Sequence, residues 1–366
     1  MVKNKERMQY LDEYRKKDLI LALAEELKQV SKQEFTLMEV CGGHTMAIHR
    51  FGLHALLPPT IRLLSGPGCP VCVSSQHFLD TAIAYSKIPG SVITTYGDLI
   101  RVPGSVSSLE KEKANGRDIR IIYSVLEAVE MARANPDKNI IFLGIGFETT
   151  APATAAAIVE AHKANLPNFF VLSAHKVMPP VMQALVMEGV KIDGFIAPGH
   201  VSAITGTAIY NDLAKLHRLG VVITGFEPVD LMLAILMLVR QLESGSPKVE
   251  IQYKRVVHSD GNKIAQDLLS KVFEMKDDTW RGLGVIPGSG LKIRDEYAVH
   301  DAEKHFDVVV PEPADPKGCI CGAILRGLKT PKQCPLFARV CTPSDPVGAC
   351  MVSGEGTCAT YYKYRS

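Results

Sequence analysis

The chain opens on a helical spacing of apolar residues. Over residues 7–30, Tyr10, Leu11, Tyr14, Leu19, Leu21, Leu23 and Leu27 recur among charges at the period of one helix face. From residue 35 a single unit repeats: a short apolar run, a turn rich in Gly, Pro or Ser, and an amphipathic helix. The apolar runs at 35–40, 61–64, 91–95, 119–123, 139–145, 169–173, 194–197 and 221–224 read as strands. Helices are predicted at 75–86, at about 124–134, in the Ala-rich stretch after Thr150 and around the apolar run 231–239. Strands alternating with helices build parallel sheets with right-handed crossovers. GFETTAPATAAAIV at 146–159 is echoed by GFEPVDLMLAILML at 225–238, which points to two related α/β halves.

The predicted fold is therefore α/β, with two Rossmann-like parallel-sheet domains of related topology and a small irregular C-terminal domain. The expected divisions are an N-terminal helix at 1–34, α/β domains at 35–117 and 118–245, a connecting α/β segment at 246–310 and a cysteine-rich domain at 311–366. A length of 366 residues agrees with two or three domains at about 150 residues each.

The 41 basic and 39 acidic residues leave a net charge of +2, which argues against a nucleic-acid footprint over the whole protein. The charged start has no apolar signal region. The run 231–239 is too short to cross a bilayer and reads as a buried helix. A cytoplasmic protein with no membrane partner is expected, and there structural disulfides are disfavoured. The nine cysteines then gain meaning from their placement: Cys41, Cys69 and Cys72 early, and six between Cys319 and Cys358.

Cys41 follows a predicted strand and opens a helix through two glycines. Unpaired N–H groups and the positive end of the helix dipole favour thiolate there. His44, one turn on, can share the site as ligand, base or hydrogen-bond donor. The plainer alternative is a glycine-rich turn with a buried cysteine and a capping histidine. Cys69 and Cys72 have the CxxC spacing of a redox disulfide or a metal grip. A structural zinc site from Cys41, His44, Cys69 and Cys72 is a further alternative. Glu148 and Glu227, in the two echoed motifs, stand either in a site or as helix-capping acids. His175 and His200 each follow a strand, and each taken alone reads as a residue satisfying a turn.

The tail runs Cys319-x-Cys321-x12-Cys334-x6-Cys341-x8-Cys350-x7-Cys358. Thiolates select zinc or iron–sulfur clusters. Without paired CxxC knuckles, the irregular spacing suits a [4Fe–4S] cluster, held by four of the six in an iron–sulfur domain. The basic residues Lys317, Arg326, Lys329, Lys332, Arg339, Lys363 and Arg365 could offset its charge or form a solvated surface.

CysGlyGlyHisThr, GlyProGlyCysProValCys, GlyPheGluThrThr, ProGlyHisValSer and CysMetValSerGlyGluGlyThrCys, in this order, resemble the HypD family of [NiFe]-hydrogenase maturation factors. The resemblance runs from about residue 35 to the C-terminus. It implies a scaffold that joins the small chaperone HypC and holds the iron that becomes the Fe(CN)2CO moiety. Cyanide would arrive from HypE, supplied by HypF, and the finished unit would pass to the hydrogenase large-subunit precursor. By this resemblance Cys41 is the iron ligand, Cys69 and Cys72 are a redox-active pair, and His44 and Glu148 line the cleft. Cys319, Cys334, Cys341 and Cys358 would hold a [4Fe–4S] cluster in surroundings like those of ferredoxin:thioredoxin reductase. Cys321 and Cys350 would remain as a disulfide or free pair. A cluster-dependent thiol–disulfide reductase is the alternative function.

Overall fold

A computed structural model describes residues 12–313 and 316–364. Tyr10 and Leu11 of the expected first helix, and Arg365 of the basic set, lie outside the described residues. That helix is observed over Lys17–Val30.

Two parallel sheets form the body. The first holds β1 (Phe35–Glu39), β2 (Ile61–Ser65), β7 (Gly194–Pro198), β8 (Gly220–Thr224) and β9 (Val249–Ile251), in the order β2-β1-β7-β8-β9. The second holds β3 (Ser91–Thr95), β4 (Ile119–Ile121), β5 (Asn139–Gly146) and β6 (Phe169–His175), in the order β4-β3-β5-β6. Every pairing within both sheets is parallel. The central strands are buried on both faces, as crossover helices require. The run 231–239 lies in the Pro228–Glu243 helix, which packs on β8 and on the Lys17–Val30 helix.

The α/β class and the two parallel sheets agree with the sequence reading, but the expected boundary at 118 does not divide them. The second sheet is one continuous insertion between β2 and β7 of the first. Alternation of strand and helix predicts how many parallel strands exist, and is silent on which buried strands pair. The echoed motifs do fall on different sheets: Gly146 ends β5, whereas Gly225 follows β8. The segment expected at 246–310 adds β9 to the first sheet. It also contributes an antiparallel hairpin, β10 (Phe273–Trp280) with β11 (Gly284–Ile293), that the sequence reading missed.

The tail has short helices at Cys321–Leu325, Pro331–Gln333, Ala349–Met351 and Thr357–Tyr364. Its described apolar residues share the core of the body: Ile324, Leu325, Ala349, Met351 and Val352 belong to the same apolar cluster as Val71, Val73 and Trp280. No helix among the described residues is long and apolar enough to cross a membrane.

One polar lock lies inside the first sheet's packing. The Asp230 side chain is fully buried, and Arg255 grips both its oxygens at 2.8 and 2.5 Å. The guanidinium is in turn stacked on Tyr14 and Tyr253, 3.8 and 4.3 Å from the ring centres. Arg255→Ala leaves the buried carboxylate without this cation, held by Gln252 Nε2 at 2.9 Å and the Glu227 N–H at 3.4 Å, and should cost about 3 kcal/mol in denaturant unfolding.

Candidate functional site

Each sheet has one place where the strand order reverses: between β1 and β7 in the first, between β3 and β5 in the second. In open α/β sheets ligands collect outside the carboxyl ends of the strands at such reversals. β1 delivers Cys41 there, β7 delivers His200, and β5 delivers Glu148 and Thr149. Cys41 Sγ lies 3.1 Å from His200 Nε2. His200 Nδ1 lies 2.5 Å from Thr149 Oγ1. The second contact joins the two crevices into one cleft.

Cys41 is the N-cap of the Gly42–Arg50 helix and is buried. Its backbone N–H donates to Glu39 Oε2 at 3.1 Å, and Thr45 Oγ1 donates to the other oxygen of that carboxylate. Burial raises the Glu39 pKa to about 8. The expected thiolate at Cys41 is not what the structure favours. Burial first, then the nearby Glu355 carboxylate, push the thiol pKa up, against a weaker downward pull from the N–H groups of His44 and Gly43. Removal from water outweighs the helix start, so without a bound cation the group is a thiol.

His44 is wholly buried and gives Nε2–H to the Gly225 carbonyl at 3.1 Å. Burial, then His200, lower its pKa to about 3, so the ring is neutral and Nδ1 is an acceptor with no partner. Phe226 lies between the two histidines, 4.8 Å from the His44 ring centre and stacked at 5.4 Å on His200. Burial lowers His200 to about 4. Glu148 accepts from the Met178 N–H at 2.9 Å through one oxygen, and its other oxygen is buried and unpartnered. Burial raises its pKa to about 7. Gly146 makes that turn possible, because at φ +127 a Cβ would meet Thr150 Oγ1 at 1.8 Å.

Cys69 and Cys72 form a disulfide. With both sulfurs joined and His44 Nε2 given to Gly225, the zinc set considered from sequence is not assembled. The loop before the disulfide lies directly on Cys41: the Gly42 N–H donates to Gly68 O at 3.1 Å. The Pro70–Val73 helix packs against Ala349–Met351, the turn that carries Cys350.

All six tail cysteines line one cavity, together with Ile324, Leu336, Phe337 and Met351. Cys321 Sγ lies 2.7 Å from Cys350 Sγ, and the six are unbonded. Among the described residues no group of three or more His, Cys, Asp or Glu is arranged to hold a metal ion.

The sequence reading gave His200 only the role of satisfying a turn, whereas its contact with Cys41 spans 159 positions of chain. Its one signal was Pro-Gly-His directly after a strand, and only the β1–β7 pairing gives that signal weight. His175 ends β6 rather than satisfying a turn, and its Nε2 lies 2.9 Å from Thr154 Oγ1 in the Ala151–Lys163 helix. Glu227 stands at the start of its helix and pairs with Arg15, far away in sequence.

The backbone contact between the two cysteine loops leaves no room for a side chain at Gly68, where a Cβ would stand 2.2 Å from Cys41 N. Gly68→Ala should destabilise the fold by about 1–3 kcal/mol in chemical denaturation. Gly354→Ala, with nothing within 4 Å of its Cβ, should stay within about 0.5 kcal/mol of the parent.

The family model HypD, described as "Hydrogenase formation hypA family", matches residues 17–365. The hydrogenase maturation factor HypD2 of Bradyrhizobium diazoefficiens is 47% identical over 98% of this chain and 97% of its own length. The hydrogenase maturation factor HypD of Rhizobium leguminosarum is 47% identical over 98% of this chain and 96% of its own. That of Escherichia coli is 41% identical over 98% of both. With the cleft at the two strand-order reversals and the six-cysteine tail in place, these likenesses show that the chain belongs to the HypD family of hydrogenase maturation factors.

Proposed function

We propose that this chain is the scaffold on which the Fe(CN)2CO unit of a [NiFe]-hydrogenase is assembled, in complex with a HypC-type chaperone. HypE, charged by HypF, delivers cyanide, and the unit passes on to the large-subunit precursor. The observation that carries this reading is the buried Cys41 thiol held against His200 at the junction of two sheets, with the Cys69–Cys72 loop on its backbone. Iron bearing diatomic ligands is a soft acceptor that suits a thiolate donor. His200 Nε2 offers the departing thiol proton an acceptor. Glu148 Oε2, buried and unpartnered, can donate to a cyanide nitrogen when its carboxyl, raised by burial to about 7, is protonated. The apolar walls, with Phe226 between the histidines, keep the reactive centre from water.

The tail fits a [4Fe–4S] cluster by donor chemistry: six soft thiols around one cavity whose other side chains are apolar. Cys319, Cys334, Cys341 and Cys358 are the proposed ligands, and the close Cys321–Cys350 pair is left over. When bound, the cluster would supply electrons one at a time. Opening the Cys69–Cys72 disulfide takes two electrons and two protons and yields two thiols. A cytoplasmic location agrees with such oxygen-sensitive chemistry.

The packing of the CxxC helix against the Cys350 turn also favours the second reading, a cluster-dependent thiol–disulfide reductase. The two separate cleanly. As a scaffold, the anaerobically prepared protein with its small partner carries cyanide and carbonyl infrared bands. Cys41→Ala then loses those bands and hydrogenase maturation while keeping its fold and cluster absorbance. A maturation-competent complex without the bands refutes the scaffold. Cys69→Ser should block maturation without any loss of steady disulfide turnover, because the scaffold has none to lose; rapid turnover of a disulfide substrate that this variant abolishes establishes the reductase.

A further inference from the structure

The contact that joins the two sheets also fixes which nitrogen of His200 carries its hydrogen. Cys41 is 3% exposed. The N–H groups of Gly43 and His44 already face its sulfur as donors. What the thiol lacks is an acceptor for its own hydrogen, and that hydrogen cannot turn to water. Among the described residues, His200 Nε2 at 3.1 Å is the one acceptor within hydrogen-bond reach of Sγ. The S–H therefore donates to Nε2, which must be the bare nitrogen of the neutral ring. The ring hydrogen is then on Nδ1, 2.5 Å from Thr149 Oγ1. Thr149 is only half-buried, so it can accept this hydrogen and turn its own hydroxyl hydrogen to water. Phe226, stacked on the imidazole at 5.4 Å, holds the ring plane.

In a neutral imidazole, the hydrogen bond made by one nitrogen sets which nitrogen is protonated. We propose that Thr149 is a positioning residue: by accepting the Nδ1 hydrogen of His200 it holds the Nε2 lone pair toward the Cys41 thiol, and so readies the ring to take the thiol proton when the metal cargo binds. In that step the S–H bond breaks, sulfur keeps the electron pair and an Nε2–H bond forms. The Nδ1–H bond to Thr149 persists throughout, and no oxidant or reductant enters. The consequence for assembly rests on the scaffold reading above, whereas the tautomer is a property of this chain alone.

The tautomer is read from long-range proton–nitrogen correlation spectra of the full-length protein with labelled histidines, without iron or partner, at mildly alkaline pH where the ring is neutral. His200→Gln identifies the His200 signals by their loss. Wild-type protein should carry the hydrogen on Nδ1. Thr149→Val, which keeps the shape and removes the acceptor, should move it to Nε2, and Thr149→Ser should retain the wild-type pattern. If valine is not tolerated, Thr149→Ala carries the same expectation. An Nε2–H ring in the wild type, or an unmoved hydrogen in the variant lacking the oxygen, overturns the proposal. In anaerobic complex with the small partner, Thr149→Val should also lose most of the cyanide and carbonyl infrared bands, and Thr149→Ser should keep them. Full bands in Thr149→Val despite a moved hydrogen overturn the positioning role. A wild-type complex without bands instead overturns the scaffold reading, and is distinct from a tautomer that ignores Thr149.

Discussion

The parallel pairing of β1 with β7 is the constraint on which the site depends. Leu37, Met38 and Glu39 stand against Gly194, Phe195 and Ile196 across more than 150 residues of chain. Gly194 sits close to its neighbours, since a Cβ there would lie 3.1 Å from both Gly220 O and Leu238 Cδ2. Both strands are buried on both faces, so a slip of one residue would turn every side chain to the opposite face and is strongly opposed by packing. This register carries Cys41 and His200 to the same sheet end. It also lets the whole second sheet leave and return between β2 and β7, with its own strand-order reversal brought against the first through Thr149.

The tail follows from the same platform. Its C-terminal helix packs on the Gly42–Arg50 helix, and its Ala349–Met351 turn packs on Pro70–Val73. Arg101, after β3, donates to the carbonyls of Pro343 and Val352 at 3.1 and 3.0 Å. The tail thus touches the Cys41 helix, the CxxC helix and a loop of the second sheet. A segment that contributes its few apolar residues to a shared core gains its order from that core, and any cluster it holds is fixed relative to Cys69 and Cys72.

Much of this was legible in the sequence because periodicity and turn chemistry are local. The strands from 35 to 224, the Gln76–Tyr85 and Val125–Ala134 helices and the cysteine partition all depend on residues near one another. Sheet membership was not legible, because short apolar strands look alike until they pair. The β10–β11 hairpin was missed because its partly exposed, charged strand FEMKDDTW lacks the continuous apolar run of its neighbours. His200 was undervalued for the reason the boundary at 118 failed: both depend on β7 lying beside β1. The Cys41 ionisation was misjudged because a helix start is visible in sequence, whereas the depth of burial and the approach of Glu355 are tertiary facts.

The unsatisfied polar atoms of the cleft complete the argument. A buried acceptor without a partner costs about 1–3 kcal/mol, and folded proteins keep few of them. Here His44 Nδ1 and Glu148 Oε2 are two, contributed by the helix after β1 and the turn after β5. The echoed GlyPheGlu motif is used differently at its two copies. In one copy Phe226 stacks between the histidines while Glu227 is spent on Arg15. In the other Phe147 packs toward Trp280 and Glu148 keeps a free oxygen. The same local structure thus supplies an apolar wall from one sheet and an open acceptor from the other. A neutral Cys41 thiol is the resting state such a cleft favours, because burial and the Glu355 carboxylate both disfavour a thiolate there. On the proposed scaffold reading, a metal cargo would supply a balancing positive charge and so couple its own binding to deprotonation of the thiol.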